Sequence, residues 1–188
     1  MENQQIYILL THTGSLLSRM IKRYTREPYS HVSVAFDMNL DKVYSFGRKN
    51  PRNPLIAGFV IEDIRRGTYS IFSNTTYSLY SLEVDSLQYE KLQSVMDEFE
   101  KIKQRSSYNL VGLLGVYLGY PINRTYAYFC SQFVAFAFEQ SGISIFEKSF
   151  GLVTPRDFRT CKSLKLIKTG KLVYFNSEDL NDEYLEIS

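Results

Sequence analysis

The sequence predicts a single α+β domain in which an antiparallel sheet packs against helices. Short apolar or alternating runs, typical of strands, occupy much of the first 84 residues, and longer runs with helical spacing dominate the second half. A length of 188 residues fits one domain, and no linker, repeat or low-complexity tract divides the chain. We therefore treat residues 1–188 as one domain.

The predicted strands are short runs of apolar or alternating residues bounded by turn-forming residues. In chain order they are residues 6–10, 31–37, 42–46, 58–63, 77–84, 164–167 and 172–175. The run at 6–10 is apolar throughout and is typical of a strand buried on both faces. Residues 31–37 and 42–46 are expected to pair as a hairpin. A proline-bounded loop is expected over residues 48–54, and the last two runs are expected to form a closing hairpin.

Helices are predicted where apolar residues recur at helical spacing behind a capping residue. They are expected after Ser15, after Asp85, over residues 109–119, from about Cys130 to before Gly142, and after Thr154. The first has a basic face of Arg19, Lys22, Arg23 and Arg26, which is expected to be solvated. The second and the last carry the strongest start signals, Asp85-Ser86 and Thr154-Pro155-Arg156-Asp157.

Composition excludes several classes of function. The chain has 22 Lys and Arg against 20 Asp and Glu, which is too balanced for a protein that binds nucleic acid through bulk charge. No apolar run reaches the roughly 20 residues that span a bilayer, and no signal peptide is recognisable, so we expect a cytoplasmic protein without an integral membrane segment. Two Cys and two His argue against a structural zinc site, and we expect neither a metal nor a cofactor.

One thiol and one imidazole are candidates for nucleophilic chemistry. Cys130 stands at the start of a predicted helix, where free N–H groups and the helix dipole favour a thiolate. A thiolate needs a proton acceptor, and His31, at the head of a strand, suits that role better than His12, which is expected to be a solvated or capping side chain. The alternative for Cys130 is a small buried apolar residue. Cys161 is expected to be incidental.

The order of these residues resembles the circularly permuted branch of the NlpC/P60 superfamily of papain-like cysteine hydrolases, which includes the lecithin–retinol acyltransferase-like proteins. The resemblance rests on Tyr29-Ser30-His31-Val32 at the head of a hairpin, followed much later by Tyr128-Phe129-Cys130-Ser131-Gln132-Phe133-Val134 on a helix. It extends over roughly residues 6–158. In most relatives that are not permuted Cys precedes His, and here the order is reversed.

The resemblance implies a permuted papain-like fold and a role for each matching residue. Cys130 matches the nucleophile and His31 the general base. A third polar residue on the strand after His31 is expected to orient the imidazole, and Ser45 and Tyr44 are the candidates, although neither is the His, Glu or Gln often found there. Tyr108 resembles a tyrosine that helps to bind the oxyanion; its alternative is an ordinary buried tyrosine.

We expect a cysteine hydrolase that cleaves an amide bond in a small peptide or peptide-like substrate through an acyl-enzyme. One alternative is an acyltransferase or thioesterase that takes an acyl substrate, and another is a non-catalytic binding domain of the same fold. Arg48, Lys49 and Arg52 follow the predicted His hairpin, where they would bind a substrate carboxylate or form a charged surface loop.

Overall fold

The computed structural model describes residues 3–15, 18–19, 22, 26–50, 53–109, 116 and 119–178, with the backbone alone at residues 54 and 55. Its strands are β1 (Asn3–His12), β2 (His31–Ala35), β3 (Val43–Asn50), β4 (Asn53–Glu62), β5 (Thr76–Asp85), β6 (Ser107–Tyr108), β7 (Ala127–Tyr128) and β8 (Lys165–Lys171). Six of them form an antiparallel sheet in the order β4-β3-β2-β1-β5-β8, and β6 and β7 form a separate parallel pair. The predicted α+β class with an antiparallel sheet is confirmed.

Short and long helices alternate with these strands. They are α1 (Thr68–Ile71), α2 (Ser86–Lys101), α3 (Cys130–Gln140) and α4 (Pro155–Thr160), with single 3-10 turns at Phe150–Leu152 and Leu172–Tyr174. The two strong start signals are confirmed. The Asp85 carboxylate accepts the backbone N–H of Gln88 at 2.8 Å, and the Asp157 carboxylate accepts the backbone N–H of Thr154 at 2.7 Å.

Both faces of the sheet are buried. Successive side chains along a strand point to opposite faces, so each strand contributes side chains to a core on either side. One face, with Val32, Val34 and Phe46, packs against α2 and α3 in the larger core. The other face packs into a smaller core with Tyr69 of α1. Residues 6–10 are buried on both sides, as the apolar run predicts.

Aromatic rings fill the larger core. Phe46 of β3 lies with its ring centroid 4.8 Å from that of Phe133 on α3, and it also packs against Phe59, Phe99 and Tyr128. Phe46 and Phe133 are completely buried. Edge-to-face and tilted contacts of this kind add to the hydrophobic gain and fix α3 on the sheet. The first residue of α3, Cys130, is held in place by this packing.

Two predicted connections are wrong. The expected loop at residues 48–54 is largely strand, since β3 continues to Asn50 and β4 begins at Asn53. The expected closing hairpin is a single strand, β8, followed by a 3-10 turn. Gly170, interpreted as a turn residue, pairs with Tyr77 in the sheet, and a Cβ there would lie 3.4 Å from the Tyr77 ring. The Tyr77 ring thus packs over the backbone of β8 at the position where Gly170 has no side chain.

Two further predictions fall mostly on residues that the structure does not describe. The helix expected after Ser15 and the helix expected over residues 109–119 both lie largely outside the described ranges. Within those ranges, none of the helices combines the length and the apolar character that crossing a bilayer requires.

Candidate functional site

Cys130 is the first residue of α3, and the chain enters the helix through Phe129 in an extended conformation. The helix start is fastened by its own side chains: Gln132 accepts the backbone N–H of Phe129 at 3.3 Å, and the Ser131 hydroxyl donates to the backbone carbonyl of Val153 at 2.8 Å. The backbone N–H of Ser131 points at the Cys130 sulfur. The structure therefore supports the predicted placement of this thiol at a helix N-terminus.

His31 is the first residue of β2 and lies beside Cys130. The Cys130 sulfur is 3.9 Å from the backbone carbonyl oxygen of Ser30, so it lies at the start of β2. The thiol and the imidazole are close enough for each group to shift the pKa of the other. Two residues far apart in the sequence thus meet at one end of the sheet.

The opposite side of the imidazole is held by Glu62, the last residue of β4. Nε2 of His31 lies 3.1 Å and 3.2 Å from the two carboxylate oxygens. The carboxylate also accepts the Ser33 hydroxyl and the Tyr69 hydroxyl, each at 3.1 Å. Since Nε2 is committed to Glu62, Nδ1 is the ring nitrogen that remains for the Cys130 thiol.

Small residues on β3 let Glu62 reach across the sheet. In register Glu62 is opposite Val43, and Val43 is opposite Ala35 at the far end of β2 from His31. The carboxylate passes over Gly47, where a Cβ would lie 3.0 Å from Oε1 of Glu62 and 3.4 Å from Cε1 of His31. A larger residue at position 47 would push the carboxylate and the ring apart.

The expected orienting residue was wrongly placed. The sequence suggested Ser45 or Tyr44 on β3, whereas His31 Nε2 donates its hydrogen bond to the Glu62 carboxylate on β4. Tyr44 points into the larger core, where its ring packs against Phe36 and Phe59. Ser45 is completely buried, and among the described residues its hydroxyl has no hydrogen-bond partner.

The ionisation of the three groups is coupled. Burial opposes the charged imidazole, but the Glu62 carboxylate and the hydrogen bond to Cys130 outweigh it and raise the pKa of His31 to about 10. Burial also opposes the thiolate, but the His31 ring and the N–H groups of Val32 and Ser131 outweigh it and lower the pKa of Cys130. The pKa of Glu62 is lowered in spite of burial, chiefly by His31. These directions favour a thiolate, an imidazolium and a carboxylate in one row.

Tyr108 lies on the other side of the thiol. Its hydroxyl interacts with the backbone N–H and the side chain of Cys130, and burial together with the Cys130 charge raises the pKa of Tyr108 well above its usual value. The phenol therefore stays protonated. Its neighbour Asn109 donates to Gln132 at 3.2 Å and to the carbonyl of Ile122 at 2.8 Å, which ties this segment to the first turn of α3.

The segment before Tyr108 is also fastened to the edge of the sheet. The Ser106 hydroxyl accepts the backbone N–H of Phe59 on the edge strand β4 at 2.9 Å. The Lys49 ammonium donates to the carbonyls of Lys103 and Ser106 at 2.7 Å and 2.9 Å. At Gly58 a Cβ would come within 2.6 Å of the Ser106 carbonyl oxygen, so this close approach depends on glycine.

The other histidine and the other cysteine have different surroundings. Nδ1 of His12 lies 3.1 Å from the Ser18 hydroxyl and 3.5 Å from the Ser30 hydroxyl. Burial, with Lys22 and Arg19, lowers the pKa of His12, which favours a neutral ring. Cys161 ends α4, and its sulfur lies 3.8 Å from the Ile145 carbonyl oxygen. Neither side chain has the row of charged partners that surrounds Cys130.

Access to the site differs among its members. The side chains of His31 and Glu62 are 18% and 15% exposed, whereas Cys130 is 4% exposed. The imidazole separates the sulfur from the carboxylate. In the part of the chain that the structure describes, no three His, Cys, Asp or Glu side chains are grouped to share a metal ion.

Sequence reasoning missed Glu62 because it ends a strand that is not adjacent to β2. The available signal was the series of small residues, Ser33, Ser45 and Gly47, at alternating positions that share one face of β2 and β3. Such positions leave space above the sheet, and a lone acidic residue at the end of an apolar strand is a candidate to fill it.

We compared the chain with known proteins in three ways. Scans of protein-family models, of curated proteins and of solved structures return no match to this chain.

Proposed function

We propose that this protein is a cysteine hydrolase that cleaves an amide bond in a small peptide-like substrate. The observation that carries the proposal is the His31 imidazole, which lies between the Cys130 thiol and the partly buried Glu62 carboxylate. A nucleophile, a base and a group that orients the base are the elements that nucleophilic hydrolysis requires.

Acylation begins from the thiolate and imidazolium pair. The Cys130 sulfur attacks the substrate carbonyl carbon, a C–S bond forms, and the carbonyl oxygen becomes an oxyanion. The Tyr108 hydroxyl is protonated and adjacent to the sulfur, so it is suited to donate a hydrogen bond to that oxyanion. The His31 Nδ1–H then gives its proton to the amide nitrogen as the C–N bond breaks, and the amine leaves.

Deacylation reverses the proton transfer. Neutral His31 accepts a proton from water, the water oxygen attacks the thioester carbon, and the C–S bond breaks. The carboxylic acid leaves, and the thiolate and imidazolium are restored. Glu62 takes no proton in this scheme; it holds Nε2–H, so that Nδ1 always faces the sulfur, and it stabilises the imidazolium.

The direct test is the rate at which Cys130 is alkylated. Iodoacetamide is added at pH 6.5, and labelling of Cys130 and Cys161 is followed separately by peptide mass spectrometry. We expect Cys130 to react faster, because His31 keeps it ionised at a pH where an ordinary thiol is protonated. In His31→Gln the rate at Cys130 should fall on the order of 100-fold, while Cys161 serves as the internal reference.

Equal rates at the two cysteines, or a Cys130 rate that His31→Gln leaves unchanged, would overturn the proposal and favour a binding domain. If the alkylation result holds, dipeptides and fatty acyl esters are compared as substrates, with Cys130→Ala as the blank. Turnover of dipeptides supports the hydrolase; turnover of acyl esters alone would assign the same nucleophile to acyl transfer.

A further inference from the structure

A second charged group stands next to the candidate site. Arg48 follows Gly47, the residue over which His31 and Glu62 meet. Its guanidinium donates a hydrogen bond to the Ser15 hydroxyl and lies 5.7 Å from the centre of the Phe72 ring. It is also close enough to Tyr108 for the two groups to affect each other's pKa, and the Tyr108 hydroxyl contacts Cys130.

Among the described residues this guanidinium has no acidic partner. Five other Lys and Arg side chains do form ion pairs with acids, namely Arg65, Arg66, Lys148, Arg156 and Arg159. The internal stretches outside the described ranges contain no Asp or Glu in their sequence. Burial lowers the pKa of Arg48, and the titratable group that opposes this effect is Tyr108 rather than an Asp or Glu carboxylate.

A partly buried cation without an anion is unfavourable unless a ligand completes it. Ser15 and Phe72 hold the guanidinium in one orientation, and neither satisfies its charge. The planar fork of donors matches a carboxylate. The neighbouring Lys49 is already committed to two backbone carbonyls, and Arg52 lies outside the described residues. Of the described cations in this basic segment, Arg48 alone is therefore available to a ligand, which suits a carboxylate better than a doubly charged phosphate.

We propose that Arg48 binds a carboxylate of the substrate, so that the protein selects peptide-like substrates with a free carboxylate near the scissile bond. This inference rests on the function proposed above, and it adds the class of substrate. Arg48 is a specificity residue in this arrangement: it contacts a part of the substrate that does not react, while Cys130, His31 and Tyr108 contact the reacting atoms.

Two pairs of alkylating reagents test the inference without a known substrate. Iodoacetate is compared with iodoacetamide, and N-iodoacetylglycine with N-iodoacetylglycinamide. Within each pair the thiolate displaces iodide as the C–S bond forms, and a carboxylate in one reagent replaces a carboxamide in the other. Because this replacement also changes the intrinsic reactivity of the reagent, each rate at Cys130 is divided by the rate of the same reagent at Cys161. We expect Cys130 to prefer the anionic member of at least one pair by roughly tenfold, which corresponds to one charge-assisted contact.

Variants at Arg48 and at a remote cation test whether the preference for the anionic reagent depends on Arg48. In Arg48→Gln the preference for the anionic reagent should disappear. The preference is a ratio of two rates at the same thiolate, so a change in the reactivity of Cys130 itself does not alter it. Arg48→Lys should keep part of the preference. Arg65→Gln, which removes an exposed cation elsewhere, should keep all of it.

Fast alkylation of Cys130 without any preference for the anionic reagents, or a preference that survives in Arg48→Gln, would overturn the role of Arg48 and leave the hydrolase proposal in place. Slow alkylation of Cys130 by all four reagents would instead overturn the hydrolase proposal, and this inference with it.

Discussion

Neighbouring residues of β2 and β3 build two very different faces. On one face Val32, Tyr44 and Phe46 pack into an aromatic core against α2 and α3. On the other, Ser33, Ser45 and Gly47 stand one position away along the same strands, and the space they leave holds the His31 and Glu62 pair. The large side chains fix the position of α3, and the small ones give the charged groups room to meet. The larger aromatic core thus lies on one face of the sheet, and the His31 and Glu62 pair lies over the other.

The largest expected effect follows from Phe46→Ala on the aromatic face. The variant loses contacts with four rings and leaves a cavity, which should cost about 3–5 kcal/mol in the free energy of unfolding. For a domain of this size the melting temperature should fall by roughly 10 °C. Tyr174→Ala, which truncates a ring that is 76% exposed, is the control and should change stability by less than about 0.5 kcal/mol. A small loss in Phe46→Ala would show that this face does not determine stability.

A smaller effect, and one on reactivity, is expected from Glu62→Gln on the other face. Without the carboxylate the pKa of His31 falls toward its usual value, the thiolate loses its cation, and the pKa of Cys130 rises. Alkylation of Cys130 at pH 6.5 should slow by roughly tenfold, which is one pKa unit of thiolate population. The rate should recover as the pH is raised above the usual thiol pKa. Glu83→Gln, at an exposed position of β5, is the matched control. A pH profile unchanged by Glu62→Gln would exclude an orienting role for this carboxylate.

The smallest effects are expected from substitutions of Gly47 and Ser45, two small residues on the same face of β3. Gly47→Ala places a Cβ 3.0 Å from Oε1 of Glu62, so the carboxylate must shift by a few tenths of an ångström, and the pH at which Cys130 becomes reactive should rise. Ser45→Ala removes a buried hydroxyl without a partner among the described residues, so it should leave the reactivity profile unchanged and stability equal or slightly higher. If both variants move the profile equally, the space over Gly47 is not what brings Glu62 to His31.

Much of the fold could be predicted because local signals and burial agree. The apolar run of β1, the Asp85 cap of α2 and the placement of Cys130 at the start of α3 all depend on residues close together in the sequence. The wrong elements were those where local signals conflict with pairing. Prolines and basic residues at 48–54 favour a loop, yet the pairing of β3 with β4 extends the strands through much of that stretch.

The candidate site was predictable in part. The resemblance carried by two short motifs implies that Cys130 approaches His31. The partner of Nε2 was not predictable in this way. Glu62 is opposite Val43 in register, and it reaches the imidazole because strands in a twisted sheet cross at an angle and the residue between them is glycine. An argument limited to the strand adjacent to β2 selects Ser45. This residue is next to the site and contributes space rather than a hydrogen bond.

Gly58 has a consequence that reaches beyond its own strand. It is remote from the sulfur, yet the contact that it permits with Ser106 decides how closely the tyrosine-bearing segment lies against the edge of the sheet. Any side chain introduced there would lift that segment and withdraw the phenol from the thiol. The distance between the Tyr108 hydroxyl and the Cys130 sulfur therefore depends on a position that carries no side chain.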